Sequence, residues 1–305
     1  MKSVRFINFW KDFDPYNNIF LEVLNQNLGS VVIRNKKRHN VDFEFSSVFM
    51  KSSAVISKKV STLLHQTLQS EPSLASAYES NQKISRGEIG RRIWYTGENV
   101  RPPITAGFDG FLSFDQDSYG GRNAYLPLWW LRLNWFKDFE LSPQVGTPVD
   151  MHLLLRHREA RQRKTKFACA FVGNPHPKRL HFIEMLQKID NVDVYGRYVG
   201  KPVKNKYEIA KDYKYSICFE NDHFPGYVTE KLIDAYLTET IPIYWGNLGN
   251  DNVINRSSFV NLSDFDSVAD CIDSISQIDY NAVYQHNFLN ALPSLREVNR
   301  IIFGV

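Results

Sequence analysis

The residues that could do chemistry crowd into one stretch of this 305-residue chain. It runs Cys218-Phe219-Glu220-Asn221-Asp222-His223-Phe224-Pro225-Gly226-Tyr227-Val228-Thr229-Glu230-Lys231-Leu232-Ile233-Asp234-Ala235-Tyr236. An apolar strand leads in and a Pro-Gly turn follows. Thr229 reads as the N-cap of a helix whose Leu232, Ile233, Tyr236 and Leu237 form the buried stripe. Lys231 then falls in the first turn, where a cation opposes the helix dipole at a cost of about 0.3–1 kcal/mol. A bound anion would reverse that cost, because backbone N–H groups and the ammonium would converge on it. A phosphate is therefore one reading of Lys231. The other is an ion pair with Glu230 or Asp234 on a solvated face, and spacing does not choose between them.

The elements that must position this stretch alternate between strand and helix. Strands are expected at Phe167–Val172, Val192–Tyr195, Tyr215–Phe219 and Ile241–Trp245. Helices are expected at Lys178–Ile189, Thr229–Leu237 and Ser267–Ser276, and a helix or helical turn at Tyr207–Tyr213. Such alternation implies a parallel sheet with right-handed crossovers and a ligand beyond the carboxyl ends of its strands. The N-terminal half offers strands at Val4–Trp10, Val41–Phe49, Arg92–Tyr95 and Phe108–Phe114. Its polar stretch Ser52–Gly90 reads as helix plus surface loop, and Leu126–Phe136 as an aromatic helix or strand. The turn Thr96-Gly97-Glu98-Asn99 closes the Arg92–Tyr95 strand, a place where sites accumulate. The Ser, Pro, Gly and Thr of Leu141–Val149 mark a domain boundary, giving domains 1–149 and 150–305.

Composition narrows the function classes. A net charge of +4 is modest. The basic residues of Arg156–Lys166 read as a solvated helix face or linker, with no interleaved aromatics for a nucleic acid. Cys169 and Cys218 lie in apolar stretches and Cys271 stands apart. They read as reduced core thiols, which points to the cytoplasm. No Cys/His cluster suggests zinc. Asp115-Gln116-Asp117 has the form of a DxD metal motif, but Asp12-Phe13-Asp14 and Asp264-Phe265-Asp266 share it, so the pattern carries little. No apolar run approaches the roughly 18 residues of a membrane span. His176 and His223 lie in polar loops with no ligand-spaced partner, and Asn174 and Arg179 follow the first strand of the second half.

Three blocks in order carry a resemblance: Phe219-Glu220-Asn221, then Gly226-Tyr227-Val228-Thr229-Glu230-Lys231, then Ile241-Pro242-Ile243-Tyr244-Trp245-Gly246. Together they closely resemble the signature of the α1,3/4-fucosyltransferases, glycosyltransferase family 10, in its bacterial Helicobacter-type form. Weaker likeness runs from Trp94 to about Leu128 and from Phe167 to about Phe259. The resemblance implies an α/β fold of GT-B type, two Rossmann-like domains facing a central cleft. The first would bind the acceptor and the second GDP-fucose. It implies an inverting transfer of fucose to the N-acetylglucosamine of N-acetyllactosamine-type glycans, giving Lewis-type structures without a metal cofactor.

Residue by residue, Lys231 matches the family lysine on the diphosphate and Glu230 the acid on the ribose hydroxyls. Asn221 and Tyr227 match further donor-site residues. Arg197, in Tyr195-Gly196-Arg197, resembles the arginine that holds the phosphates. Glu98 is similar to the proposed general base. Such a set suits a single displacement: a carboxylate takes the acceptor proton, and Arg197 and Lys231 meet the charge growing on the leaving diphosphate. Three features depart from the pattern. Val100 stands where many bacterial relatives carry a second glutamate, Ser52–Gly90 looks long, and the heptad repeats and basic tail that attach some relatives to membranes are not seen. The implied location is the cytoplasm, compatible with the inner face of the membrane. Two rivals remain: a similar fold using another nucleotide sugar, and a basic adaptor that binds RNA or anionic glycan through Arg156–Lys166.

Overall fold

A computed structural model of the chain describes residues 1–36, 39–49, 88–136, 148–159 and 164–305. Most of the Ser52–Gly90 stretch, most of the expected boundary and the centre of the basic run lie outside the described residues. Two compact units are present, Met1–Leu126 with Leu295–Val305, and Pro127–Ser294.

The first unit is built on β1 (Ser3–Ile7), β2 (Val32–Ile33), β3 (Val41–Ser46), β4 (Ile89–Tyr95), β5 (Gly110–Ser113) and β6 (Asn123–Tyr125). Their spatial order is β2-β1-β3-β4-β5-β6, and every pair is parallel. Helix α1 (Ile19–Leu28) starts where the Asn18 side chain accepts from the Leu21 N–H at 2.9 Å, and it buries Phe20, Val23 and Leu24. A buried ion pair crosses the sheet. Arg5 donates to Glu44 Oε2 at 2.9 and 2.6 Å, and the two residues are 0% and 1% exposed. Arg92 Nε lies 3.5 Å from the other carboxylate oxygen. The helix Arg296–Phe303, the last of the chain, completes this unit against β4, β5 and β6. It presses so closely that a Cβ on Gly110 would meet Ile301 Cγ2 at 2.5 Å.

The second unit opens with the short parallel pair β7 (Leu133–Asn134) and β8 (Val149–Asp150) and the helical turn α2 (Met151–Leu154). Its main sheet comprises β9 (Lys166–Phe171), β10 (Val192–Tyr195), β11 (Tyr213–Phe219), β12 (Ile241–Trp245) and β13 (Val260–Asn261). The order is β10-β9-β11-β12-β13, again all parallel. Strands such as Ile241–Trp245 are apolar throughout because helices cover both faces of such a sheet. These helices are α3 (Pro177–Leu186), α4 (Lys206–Ala210), α5 (Lys231–Leu237), α6 (Val268–Gln277) and α7 (Tyr280–Tyr284), and Arg296–Phe303 becomes α8.

Both sheets reverse direction after their second strand, which makes each unit Rossmann-like. In the second unit the reversal falls between β9 and β11. A topological switch point of this kind leaves a crevice at the carboxyl ends of its two strands. Val192–Tyr195 and Ile241–Trp245 match the expected strands residue for residue. The aromatic stretch after Leu126 is a 3₁₀ helix, Leu128–Arg132, running into β7. All three cysteines are free and buried, and burial pushes each thiol up to about 12. Among the described residues no helix is long and apolar enough to cross a membrane.

Candidate functional site

The site is assembled where β9 and β11 end. Phe219 closes β11, and Glu220 follows with its side chain fully buried. The chain then loops through Gly226, which adopts a φ of +83° and donates its N–H to the Asn247 carbonyl at 2.8 Å. That positive φ is open to glycine at little cost. The loop delivers Thr229, Glu230 and Lys231 back beside Glu220.

The expected helix start at Thr229 is corrected here: α5 begins at Lys231, and Glu230 occupies the N-cap without a side-chain capping bond. The reason is a competitor nine residues earlier. The Glu220 carboxylate accepts from the Thr229 N–H at 2.8 Å and lies 2.8 and 3.1 Å from its hydroxyl. Held this way, Thr229 does not serve as the cap. Lys231 is also paired otherwise than spacing suggested. Its ammonium donates to Glu220 Oε2 at 2.7 Å and to Thr229 Oγ1 at 2.9 Å. The Lys231 side chain keeps 26% of its surface exposed, whereas Glu220 keeps none.

Electrostatics support the charge on Lys231. Burial works against its ammonium, but the carboxylates of Glu220 and Glu230 outweigh burial and hold its pKa above the ordinary value. Glu230 is the mirror case. Burial opposes its ionisation, yet Lys231 and Lys206 keep its carboxyl below the usual range. Both groups are therefore ionised at neutral pH. They line a small pocket of about 80 Å³, together with Phe171, Phe219, Tyr207 and Arg179. On its far wall Tyr207 donates to Asp234 Oδ1 at 2.6 Å, and Arg132 Nε donates to the same oxygen at 3.1 Å.

Arg179 proves more central than its place after the first strand suggested. It is 4% exposed and bridges the two strand ends. Nη1 donates to the Asn174 carbonyl at 2.8 Å, and Nη2 to the Phe219 carbonyl at 2.5 Å. Nη2 also lies 3.3 Å from the Glu220 carbonyl and from Asn221 Oδ1. Asn221 is exposed and anchored by this contact, whereas Tyr227 is only 2% exposed. Arg197 opens a short 3₁₀ turn straight after β10 and is exposed. Its guanidinium lies 3.8 Å from where a Cβ on Gly173 would stand, in the loop after β9. Trp245, at the end of β12, gathers three more groups: the rings of His176 at 5.1 Å and His223 at 5.5 Å, and Lys178 Nζ at 5.0 Å.

Glu98 belongs to the first unit. It follows β4 in a turn in which its N–H donates to Thr96 Oγ1 at 3.1 Å, and the Thr96 hydroxyl donates to the Glu98 carbonyl at 2.9 Å. The residue is exposed beyond the carboxyl end of a parallel strand. Asp115 and Asp117 are tied into their own turn: Asp115 Oδ1 accepts from the Asp117 N–H at 3.0 Å, and Asn123 binds both carbonyls. Among the described residues no group of three or more His, Cys, Asp or Glu is arranged to hold a metal ion.

Residues 161–290 match the family model described as glycosyltransferase family 10 (fucosyltransferase), C-terminal part. The second unit is a family 10 glycosyltransferase domain. Its relatives include an α1,3-fucosyltransferase of Helicobacter pylori, 31% identical over 262 residues; the match covers 78% of this chain and 53% of that enzyme. A 4-galactosyl-N-acetylglucosaminide 3-α-L-fucosyltransferase of Mus musculus is 29% identical over 133 residues, covering 42% of this chain and 37% of that one. The chain thus spans about half the length, or less, of these relatives. Among solved structures, an α1,3-fucosyltransferase with GDP-fucose matches at a TM-score of 0.65 and 26% identity, covering 95% of this chain and 83% of that one. The architecture is therefore of the GT-B class, as family 10 implies.

Proposed function

We propose that this chain is an α1,3-fucosyltransferase that moves fucose from GDP-fucose to the N-acetylglucosamine of N-acetyllactosamine-type glycans with inversion, making Lewis-type structures. One observation carries the reading: a protonated, partly exposed lysine is built into the switch-point crevice of a family 10 domain. In it the diphosphate lies against Lys231 and Arg197, Glu230 takes the ribose hydroxyls, and Asn221 and Tyr227 complete the donor site. Glu98 removes the acceptor proton. As the glycosidic bond breaks, negative charge moves onto the diphosphate, where an ammonium and a guanidinium already stand. Two such cations make a divalent ion dispensable. The solved relative's GDP-fucose and the enzymes of Helicobacter pylori and Mus musculus support this choice of donor and linkage. The buried free cysteines fit a reducing compartment, the cytoplasm, with action at the inner face of the membrane part of the same proposal.

The deciding experiment incubates the protein with GDP-fucose and type 1 or type 2 N-acetyllactosamine in the presence of a chelator. Transfer to the N-acetylglucosamine O3 of the type 2 acceptor, with the β-linked donor giving an α-linked product, is the expected result. No transfer from GDP-fucose, alongside turnover of another nucleotide sugar, would refute the donor. Loss of activity with chelator would refute the metal-free step.

A further inference from the structure

Glu220 is an odd residue to find fully buried beside a crevice meant for an anion. A carboxylate has only acceptors, so it cannot bind phosphate oxygens, and its charge repels them. Both of its oxygens are instead turned toward the chain that carries Lys231. We propose that Glu220 is a positioning residue: it fixes the Lys231 ammonium, and the Thr229 turn that carries it, toward an incoming diphosphate. This rests on the reading of Lys231 as a diphosphate ligand.

The geometry is a closed ring. Glu220 holds the Thr229 backbone and hydroxyl, Lys231 donates to Glu220, and Lys231 donates again to Thr229. An ammonium has three donors. Two are spent within the ring, which leaves the third for a ligand. Glu220 has no freedom to swing away. Its main chain is pinned by its N–H to the Trp245 carbonyl at 2.8 Å and by Arg179 on the adjacent carbonyls. Its Cγ lies 2.9 Å from where a Cβ on Gly246 would stand, so the chain just beyond β12 packs directly against it.

The surrounding charges make the carboxylate matter. Arg179 from α3 faces both Glu220 and Lys231. Glu230 lies beside Lys231 and is faced by Lys206 from α4, and Asp234 is tied to Arg132 and Tyr207. Burial works against the Lys231 ammonium, and Glu220 is the foremost group opposing it. Glutamine at 220 keeps the shape and the burial but removes that opposition.

The test is calorimetric binding of GDP and of guanosine to wild type, Glu220→Gln, Lys231→Met and the double variant. The ratio of the two affinities isolates the diphosphate and cancels the base. At pH 7.5 Glu220→Gln should lower the ratio about tenfold, and the double variant should fall no further than Lys231→Met alone. A Glu220→Gln ratio equal to or above wild type overturns the proposal, as does a full additional loss in the double variant. With rising pH, the wild-type ratio should persist to the ordinary lysine value of 10.5. The Glu220→Gln ratio should fall at lower pH than the wild-type ratio, and coincident curves overturn the proposal. If Glu220→Gln does not fold, Glu220→Asp takes its place, because the shorter side chain keeps the charge but draws it back from the 2.7 Å contact with Lys231, and a ratio equal to wild type overturns the proposal. A Lys231→Met ratio equal to wild type instead removes the reading of Lys231 itself, and the proposal falls with it.

Discussion

Replacing Arg179 by methionine should destabilise the second unit by about 3 kcal/mol. Two short bonds disappear, to the Asn174 carbonyl at 2.8 Å and the Phe219 carbonyl at 2.5 Å, along with two long ones at 3.3 Å. A hydrogen bond to a charged group contributes about 1.5–3 kcal/mol, and the short pair alone sums to about 3–6 kcal/mol. Burial of the cation, which draws the Arg179 pKa down, is relieved in the variant and returns part of that. The remainder is a large fraction of the roughly 5–15 kcal/mol that holds a domain together. Urea unfolding followed by circular dichroism measures it. Arg179→Lys should recover less than half, since one ammonium cannot span both strand ends as the guanidinium fork does. A Met variant within about 1 kcal/mol of wild type, or a Lys variant equal to it, would refute the bridging role.

Other outcomes follow from other contacts. Glu44→Gln leaves the fully buried Arg5 guanidinium without its counter-charge and should lower stability by about 3–5 kcal/mol, whereas replacing both residues by methionine should cost far less; thermal denaturation separates the two. Glu98→Gln should reduce kcat by about 10²–10⁴ with the KM for GDP-fucose little changed, and full activity would remove the base assignment. Gly196→Ala combines a φ of +112° with a Cβ only 2.2 Å from the Val172 carbonyl oxygen, so it should sharply lower the thermal midpoint. Thiols raised to about 12 stay protonated far above neutrality, so the folded chain should resist a thiol reagent at pH 8 and expose three reactive groups only in denaturant.

The parallel strands of the second unit were legible because their apolar runs are bounded by turn residues and their helices carry a 3.6-residue stripe. The start of α5 was not. Thr229 has the right side chain for a cap, but Glu220 claims its N–H and hydroxyl, a pairing that no local pattern announces. Arg179 and Trp245 illustrate the same limit. Each gathers groups from loops dozens of residues apart, and only the switch between β9 and β11 makes those loops neighbours. Helices α1 and α8 went unassigned although signals were present, in Asn18 as a cap and in the spacing of Val298, Ile301 and Ile302. The identities of Glu98, Asn221 and Glu230 came from motif resemblance rather than from physics, Arg197 rested on a short flanking match, and for Lys231 the helix-start argument left a phosphate and an ion pair open.

The way α8 completes the first unit has a consequence for biogenesis. A ribosome makes the six strands of that sheet first, then the whole of the second unit, and only then the helix that covers β4, β5 and β6. During translation the early sheet must wait with that face uncapped, while the later unit can fold without interruption. Expression of residues 1–126 alone should therefore yield a sticky, poorly soluble fragment. A permuted gene that places 295–305 ahead of residue 1 should shorten the wait and raise the yield of soluble protein.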